Sequence, residues 1–369
     1  MYILIAVFLT LSLIVLAYVN TSCMHCSRKT VLKGAGSTFV YPQVVEWSYL
    51  YREQGGYIIF YQPVGSGAGL RMFLKDQLTD FACSDPPLDK KLWEQYKERV
   101  IQIPWLLGAV VIVYNLPEIP ENYSLRLNGV VLAKMFKGEI TYWNDSLIKE
   151  LNPEVVDMLP GKPIIVVHRS DASGTTEVFT KFLRKASRGV WPENLVGKTI
   201  EWPVDATGRG VGAKGNEGVL AIILQTPYSI GYVEWSYVHA AAYKLPIASI
   251  ENAEGEFVVP TTESIMEAAK HVSMPSSPLD DFSYTLDEIV YARGKNSYPL
   301  ATFTYFITWV KHSDSSKNRA LADFLDWITK VGYNHVIPGY APPPESVVEL
   351  LKKAVSILRK YAYESEVST

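Results

Sequence analysis

At 369 residues the chain exceeds what one hydrophobic core commonly supports, so two α/β-sized lobes are expected rather than one. Its composition is that of a globular protein, 48% hydrophobic and 20% charged. Acidic residues outnumber basic ones, 38 to 35, for a net charge of -3, which excludes a protein that grips nucleic acid by neutralising phosphates; any anion it binds is bound locally.

The first element, Ile3 to Val19, is an apolar run of about 17 residues broken only by Thr10 and Ser12. That length, above a usual signal-peptide core and at the lower edge of a membrane span, marks an export segment that is either kept as an anchor or cleaved. Arg28, Lys29 and Lys33 follow it and no Lys or Arg precedes it, the pattern of a cytoplasmic body, but long domains cross a membrane largely regardless of such charges. Of three cysteines, Cys23 and Cys26 sit in the linker behind the apolar run, without the second ligand pair that a zinc site needs. A local disulfide between them fits, as does lipidation of Cys23 after cleavage behind Ser22, although Asn20 stands where a lipobox has Leu. Cys83 falls in a short apolar stretch and reads as a small buried hydrophobe.

Beyond the linker, helix and strand patterns alternate in the manner of α/β lobes. Val44, Trp47, Ser48 and Tyr51 recur at helical spacing, and Gly55-Gly56 ends that helix. Residues 57–62 read as a strand, 65–69 as a glycine-rich turn and 70–77 as a helix. Residues 102–115 and 164–168 have the continuous apolar pattern of buried strands. Val178, Phe179, Phe182 and Leu183 give a helix packed on a sheet, and residues 217–225 another helix, closed by Pro227 before a strand over 230–233. Two C-terminal helices, near 318–330 and 345–361, flank a loop at 339–344. The stretch 273–280 is polar and rich in Pro and Ser.

Three segments share one design, in which a strand ends, small residues with Ser or Thr follow, and a helix begins. They are Gly34-Ala35-Gly36-Ser37-Thr38-Phe39, Gly65-Ser66-Gly67-Ala68-Gly69 and Arg169-Ser170-Asp171-Ala172-Ser173-Gly174-Thr175. A helix start presents unpaired N–H groups and the positive end of its dipole, and small residues let an anion reach the backbone. One such turn is most simply a helix cap. Three in one chain, one carrying an Arg, point to an oxyanion site.

These motifs carry a resemblance. The first loop, Gly65-Ser66-Gly67 and Arg169 to Thr175 are similar to loops of the phosphate-binding proteins of ABC phosphate transporters, the PstS family. So are Asp80-Phe81-Ala82-Cys83-Ser84-Asp85, Gly215-Asn216-Glu217-Gly218 through Ile230-Gly231-Tyr232-Val233, and Gly339-Tyr340-Ala341-Pro342, all in order and spacing over nearly the whole mature chain. Ser37 and Cys83 each replace an Ala of the family pattern. The resemblance implies an α/β, two-lobe, periplasmic-binding-protein-like (type II) fold. Its ligand cleft lies between lobes joined by two crossovers, near Trp105 to Val110 and Tyr298 to Thr302. It divides the chain into a signal or anchor and linker over 1–29, lobe I over 30–108 plus 299–369, and lobe II over 109–298. It implies capture of inorganic phosphate and delivery to ABC permease subunits, without chemistry, cofactor or metal. The protein is expected as a monomer on the outer face of the cytoplasmic membrane, or secreted.

Carried over residue by residue, the ligand contacts fall on Thr38, Phe39, Ser66, Asp85, Arg169, Ser173, Gly174 and Thr175. Arg169 supplies a fork of donors that Asp171 holds in place. Ser66, Thr38, Ser173 and Thr175 offer hydroxyls, and Phe39 and Gly174 backbone N–H groups. Asp85 repels an anion unless a proton lies between them; phosphate keeps a proton at neutral pH and sulfate does not, so Asp85 is the selectivity residue. Without those motifs it reads as a cap on the turn before Pro86-Pro87. His168 alternates with Arg169 along a strand and is expected to point into the lobe. The competing readings are a receptor for another oxyanion, a hydrolase with Ser66 or Ser173 as nucleophile, and an adhesion or signalling module. Neither serine lies in Gly-x-Ser-x-Gly, and no base pattern accompanies them.

Overall fold

A computed structural model describes residues 30–241 and 245–364. The apolar segment, Cys23 and Cys26 lie outside the described residues. No helix among the described residues is long and apolar enough to cross a membrane.

Among the described residues twelve strands follow in chain order: β1 (Val31–Gly36), β2 (Ile58–Pro63), β3 (Phe81–Ser84), β4 (Val100–Asn115), β5 (Arg126–Leu127), β6 (Ile165–Arg169), β7 (Gly210–Ala213), β8 (Ser229–Glu234), β9 (Ser249–Glu251), β10 (Phe257–Val258), β11 (Ala301–Trp309) and β12 (Tyr340–Ala341). The main sheet runs β2-β1-β3-β11-β4-β8-β6-β7, with β12 added to β4, and a small sheet runs β10-β9-β5. The first half has β1 parallel to β2 and β3, the second has β6 parallel to β7 and β8, and helices cover both. This is the two-lobe α/β architecture expected from the alternating patterns.

One strand belongs to both halves. Val100 to Ala109 of β4 pair with β11, and Val110 to Asn115 pair with β8. At the change of partner, Val110 N–H donates to the Leu300 carbonyl (3.0 Å) and the Tyr298 hydroxyl to the Val110 carbonyl (3.0 Å). Nearly all of β4 is buried, which is why its sequence is a continuous apolar run rather than an alternation. Pro104 offers no N–H to the ladder. The register accordingly slips between Thr304 and Tyr305, so that Trp105 forms a bulge packed against Trp47 and Phe306.

The segment 65–69 departs from expectation. It is not a turn, because a helix already begins at Ser66 and runs to Leu74. Gly65 alone turns the chain, with φ at +90°. Gly69 lies inside the helix for packing, since a Cβ there would stand 2.2 Å from the Cα of Gly36. The helix is also shorter at its end than the spacing suggests, and Gln77 takes a left-handed φ of 51°. The loop at 339–344 contains the short strand β12, which pairs with Gly108 and Leu107 of β4.

Gly36 ends β1 at φ +139°, and a Cβ there would meet the Cys83 carbonyl oxygen at 2.0 Å. Gly36→Ala is therefore expected to lose about 3 kcal/mol of stability, combining backbone strain with overpacking against β3. Urea denaturation reads this as a lower midpoint at unchanged slope.

Candidate functional site

The three small-residue turns, at the carboxyl ends of β1, β2 and β6, meet beside the end of β3, where the two halves of the molecule touch. β1 delivers residues 37–40 to the start of the helix Tyr41–Glu53, Gly65 opens the helix Ser66–Leu74, and Ser173 caps the helix Gly174–Ala186. Gly67 N–H donates to the Ala172 carbonyl (3.0 Å), tying the second turn to the third. A Cβ at Gly174 would come within 2.4 Å of Ser66 Oγ and 2.5 Å of Asp85 Oδ2, so only glycine lets that backbone approach.

Arg169, at the end of β6, is 3% exposed. Its Nε donates to Asp171 Oδ1 (2.7 Å) and its Nη2 to Asp171 Oδ2 (2.5 Å), a bidentate pair that fixes the guanidinium plane. Nη1, 3.4 Å from Thr175 Oγ1, and the second hydrogen of Nη2 form the other edge of the fork. Burial opposes the Arg169 charge, but Asp171, joined by Tyr232 and Asp85, outweighs it and holds the guanidinium protonated. Burial likewise favours a neutral Asp171, yet Arg169 and the Gly215 N–H hold that carboxyl below its usual range. Gly65 makes room for the pair, since a Cβ there would lie 2.6 Å from Asp171 Oδ2.

Asp85 follows directly on β3 and is 1% exposed. Ser37 Oγ donates to Oδ1, while Ser66 Oγ stands 3.4 Å and Thr175 Oγ1 3.5 Å from Oδ2. Burial pushes this carboxyl up to about 6, with the Ser37 hydroxyl, Arg169, Ser66 and Lys198 acting against that rise. A single buried acid thus faces a fixed cation across a set of hydroxyls. Such a site suits a tetrahedral anion that brings its own proton.

The remaining expected residues are present with qualifications. Thr38 is buried, but its Oγ1 accepts from Asn216 Nδ2 (3.0 Å) and its carbonyl from the Tyr237 hydroxyl (2.6 Å). Phe39 N–H donates to Ser37 Oγ (2.9 Å), so that donor is engaged within its own loop. Ser173 Oγ accepts from Thr176 N–H (3.1 Å), an N-cap that leaves the hydroxyl hydrogen free to donate. His168 is buried, with Nε2 2.8 Å from Asp205 Oδ1 and its ring stacked on Trp202, and it lines the cavity beside Arg169. Cys83 lies fully buried with its thiol pushed up by burial, as a small hydrophobe would. A cavity of about 510 Å³ adjoins Arg169 and Asp171, bordered by Lys198 and Trp202. Among the described residues no cluster of His, Cys, Asp and Glu is placed to hold a metal.

Several members of the site carry no local signal. Asn216 accepts Glu234 N–H while donating to Thr38. Tyr340 donates to the Phe39 carbonyl and lies 3.1 Å from Glu234 Oε2. Burial pushes Glu234 up to about 8, against the opposing hydrogen bonds from Ser236 and Tyr340. Ser37, as a departure from an Ala pattern, and Asn216 and Tyr340, each within a quoted motif, were visible beforehand, but without the roles the structure gives them.

Comparison with known proteins supplies the context. A family model described as the PBP superfamily domain matches residues 25–331. The chain is 41% identical over 343 residues to the phosphate-binding protein PstS of Methanocaldococcus jannaschii, covering 89% of this chain and 87% of that one. It is 39% identical over 329 residues to PstS of Pasteurella multocida, covering 88% and 90%. Its fold matches the solved structure of a high affinity periplasmic phosphate-binding protein bound with phosphate, at a TM-score of 0.65 and 21% identity over 88% of this chain and 93% of that one. The phosphate binding protein of Stenotrophomonas maltophilia matches at a TM-score of 0.58 and 19% identity, covering 90% and 93%.

Proposed function

The chain belongs to the PstS phosphate-binding proteins, and from that premise we propose that it captures inorganic phosphate outside the cytoplasm and delivers it to the permease of an ABC phosphate importer. The observation that carries this reading is the buried pairing of opposites, Arg169 locked by Asp171 on one side and Asp85 on the other. An anion without a proton satisfies the first and is repelled by the second. Phosphate satisfies both, donating its proton to Asp85 and accepting from Arg169 and the hydroxyls.

The ligand-holding set in this reading is Thr38, Phe39, Ser66, Asp85, Arg169, Ser173, Gly174 and Thr175, with Asp171 fixing Arg169. Phe39 N–H reaches the ligand in this reading by sharing its hydrogen bond between phosphate and Ser37 Oγ, which keeps its own donation to Asp85. The lobes divide at 108/109 and 298/299, next to the change of partner along β4, and close on the ligand as a hinged cleft. The apolar segment from Ile3 to Val19 anchors a monomer to the outer face of the membrane. The protein does no chemistry on phosphate. Ser173 serves as a helix cap, and Ser66 faces a carboxylate already held by Ser37 rather than an imidazole.

Calorimetry with phosphate, sulfate and arsenate tests the reading. Five heavy atoms at a ceiling of about 1.5 kcal/mol each give about 7.5 kcal/mol, hence a Kd of about micromolar. A millimolar Kd for phosphate, or tighter binding of sulfate, overturns it.

A further inference from the structure

Ser37 is held from every direction. Its N–H donates to the Cys83 carbonyl (2.9 Å), its carbonyl accepts from the Tyr61 hydroxyl (3.0 Å), and its Oγ accepts from Phe39 N–H (2.9 Å). The side chain is fully buried and has one proton to give, which goes to Asp85 Oδ1. With its acceptor side taken by Phe39, the hydroxyl has little freedom to rotate away. The two oxygens of Asp85 are thereby made unequal. Oδ1 is engaged by Ser37, and Oδ2 faces Ser66, Thr175 and the backbone of Gly174.

We propose that Ser37 determines oxyanion specificity by keeping Asp85 ionised, with Oδ2 turned into the cleft, so that fully ionised anions are rejected down to acidic pH. The proposal rests on the reading of the cleft as a phosphate site and assigns to Ser37 a positioning role, acting through Asp85. A hydrogen bond donated to a carboxylate favours its charged form. Other groups around Asp85 act in both directions. Arg169 and Lys198 across the cleft favour the charge, while Cys83 and Tyr61 from the neighbouring strands and the buried Glu234 face it as acids. Burial is the largest influence and Ser37 the largest opposing it. Without that hydroxyl Asp85 takes up its proton at a higher pH. Once neutral, Asp85 has a proton to donate, and sulfate is no longer excluded.

The sign follows directly. The Asp85 carboxyl lies above its ordinary value, so its charge is present at high pH and lost as pH falls through about 6. Phosphate and sulfate affinities of wild type, Ser37→Ala and Ser37→Thr, measured by calorimetry from pH 5.5 to 8.5, give the selectivity ratio at each pH. At pH 7 the ratio for Ser37→Ala is expected about 10-fold below wild type, the two converging towards pH 8.5, and Ser37→Thr is expected within about 3-fold of wild type throughout. In the ligand-free proteins, carbon-13 NMR of the Asp85 carboxyl is expected to show a higher midpoint in Ser37→Ala, which a purely structural role would not produce. Superimposable ratio profiles, or an unmoved Asp85 midpoint, overturn the assignment while leaving the receptor reading intact. A wild type that binds neither anion overturns the receptor reading and the proposal with it. If Ser37→Ala fails to fold, Ser37→Cys, with a weaker donor of similar size, is judged by the same criteria.

Discussion

Arg169→Ala is expected to weaken phosphate binding at least about 30-fold, the equivalent of about 2 kcal/mol, because charge-assisted hydrogen bonds are lost together. The expected figure is nearer about 3 kcal/mol, since truncation also strands Asp171. That carboxylate is 12% exposed and is held ionised by the guanidinium and by Gly215 N–H. Without Arg169 it becomes a second negative charge beside the incoming anion. Arg169→Lys separates charge from geometry. A lysine restores one positive charge but cannot bond Asp171 through two atoms and still present a planar edge to phosphate, so it should recover only part of the loss. Calorimetry on the three proteins, with circular dichroism to verify folding, checks this. Unchanged affinity in Arg169→Ala would remove Arg169 from the site.

How much of this was legible in the chain depends on how far apart the partners lie. Ser66, Arg169, Asp171, Ser173, Gly174 and Thr175 sit in short motifs that end strands and start helices, and such local signals survive in a linear reading. Asp171 is two residues from the arginine it orients, so its role was inferable from spacing. Tyr237 reaches the Thr38 carbonyl across 199 residues and Tyr340 reaches that of Phe39 across 301. Nothing in periodicity or turn chemistry encodes such pairs, because they arise only when the lobes are assembled. The glycines at 65–69 failed for a related reason. Gly69 is required by the neighbouring backbone of Gly36, a tertiary demand that overrides the turn signal glycine gives locally. The pattern over 102–115 correctly showed a buried strand, but not that one strand serves both halves of the sheet or that Pro104 forces a bulge.

Glu234 shows what this implies for the site. Its position at the end of β8 marks it as a strand terminus, and only the assembled structure brings it against Ser236 and Tyr340. Buried and uncharged at neutral pH, it adds no repulsion to the cleft, leaving Asp85 as the acid that meets the ligand. The contrast lies in their surroundings. Asp85 has Arg169 and Lys198 among its favourable influences, whereas Glu234 has only hydroxyl and backbone donors opposing burial.

Asp85→Asn is accordingly expected to weaken phosphate binding about 10-fold and to tighten sulfate binding about 100-fold, lowering the phosphate-to-sulfate ratio about 1,000-fold. The amide still meets one ligand oxygen, so phosphate loses the extra strength of a hydrogen bond to a charged acceptor. Sulfate loses a repulsion, because in the wild type it brings no proton to place between its oxygen and Asp85 Oδ2, and a buried charge left unpaired costs about 3 kcal/mol. Specificity is a difference between two affinities, and removing the repulsive group acts chiefly on the competitor. The comparison belongs at pH 8, above the value of about 6 to which burial raises Asp85, where the wild-type carboxyl is ionised. Lowering the pH through 6 should bring the wild-type ratio down towards that of the variant, because residue 85 titrates only in the wild type, whereas Glu234, raised to about 8, titrates in both proteins alike. Titrations of both proteins with both anions at pH 8 and at about pH 5, below the value to which burial raises Asp85, give these ratios directly. Equal ratios in wild type and Asp85→Asn at pH 8 would mean that sulfate is excluded by the shape of the cleft, and the charge of Asp85 would have no part in selectivity.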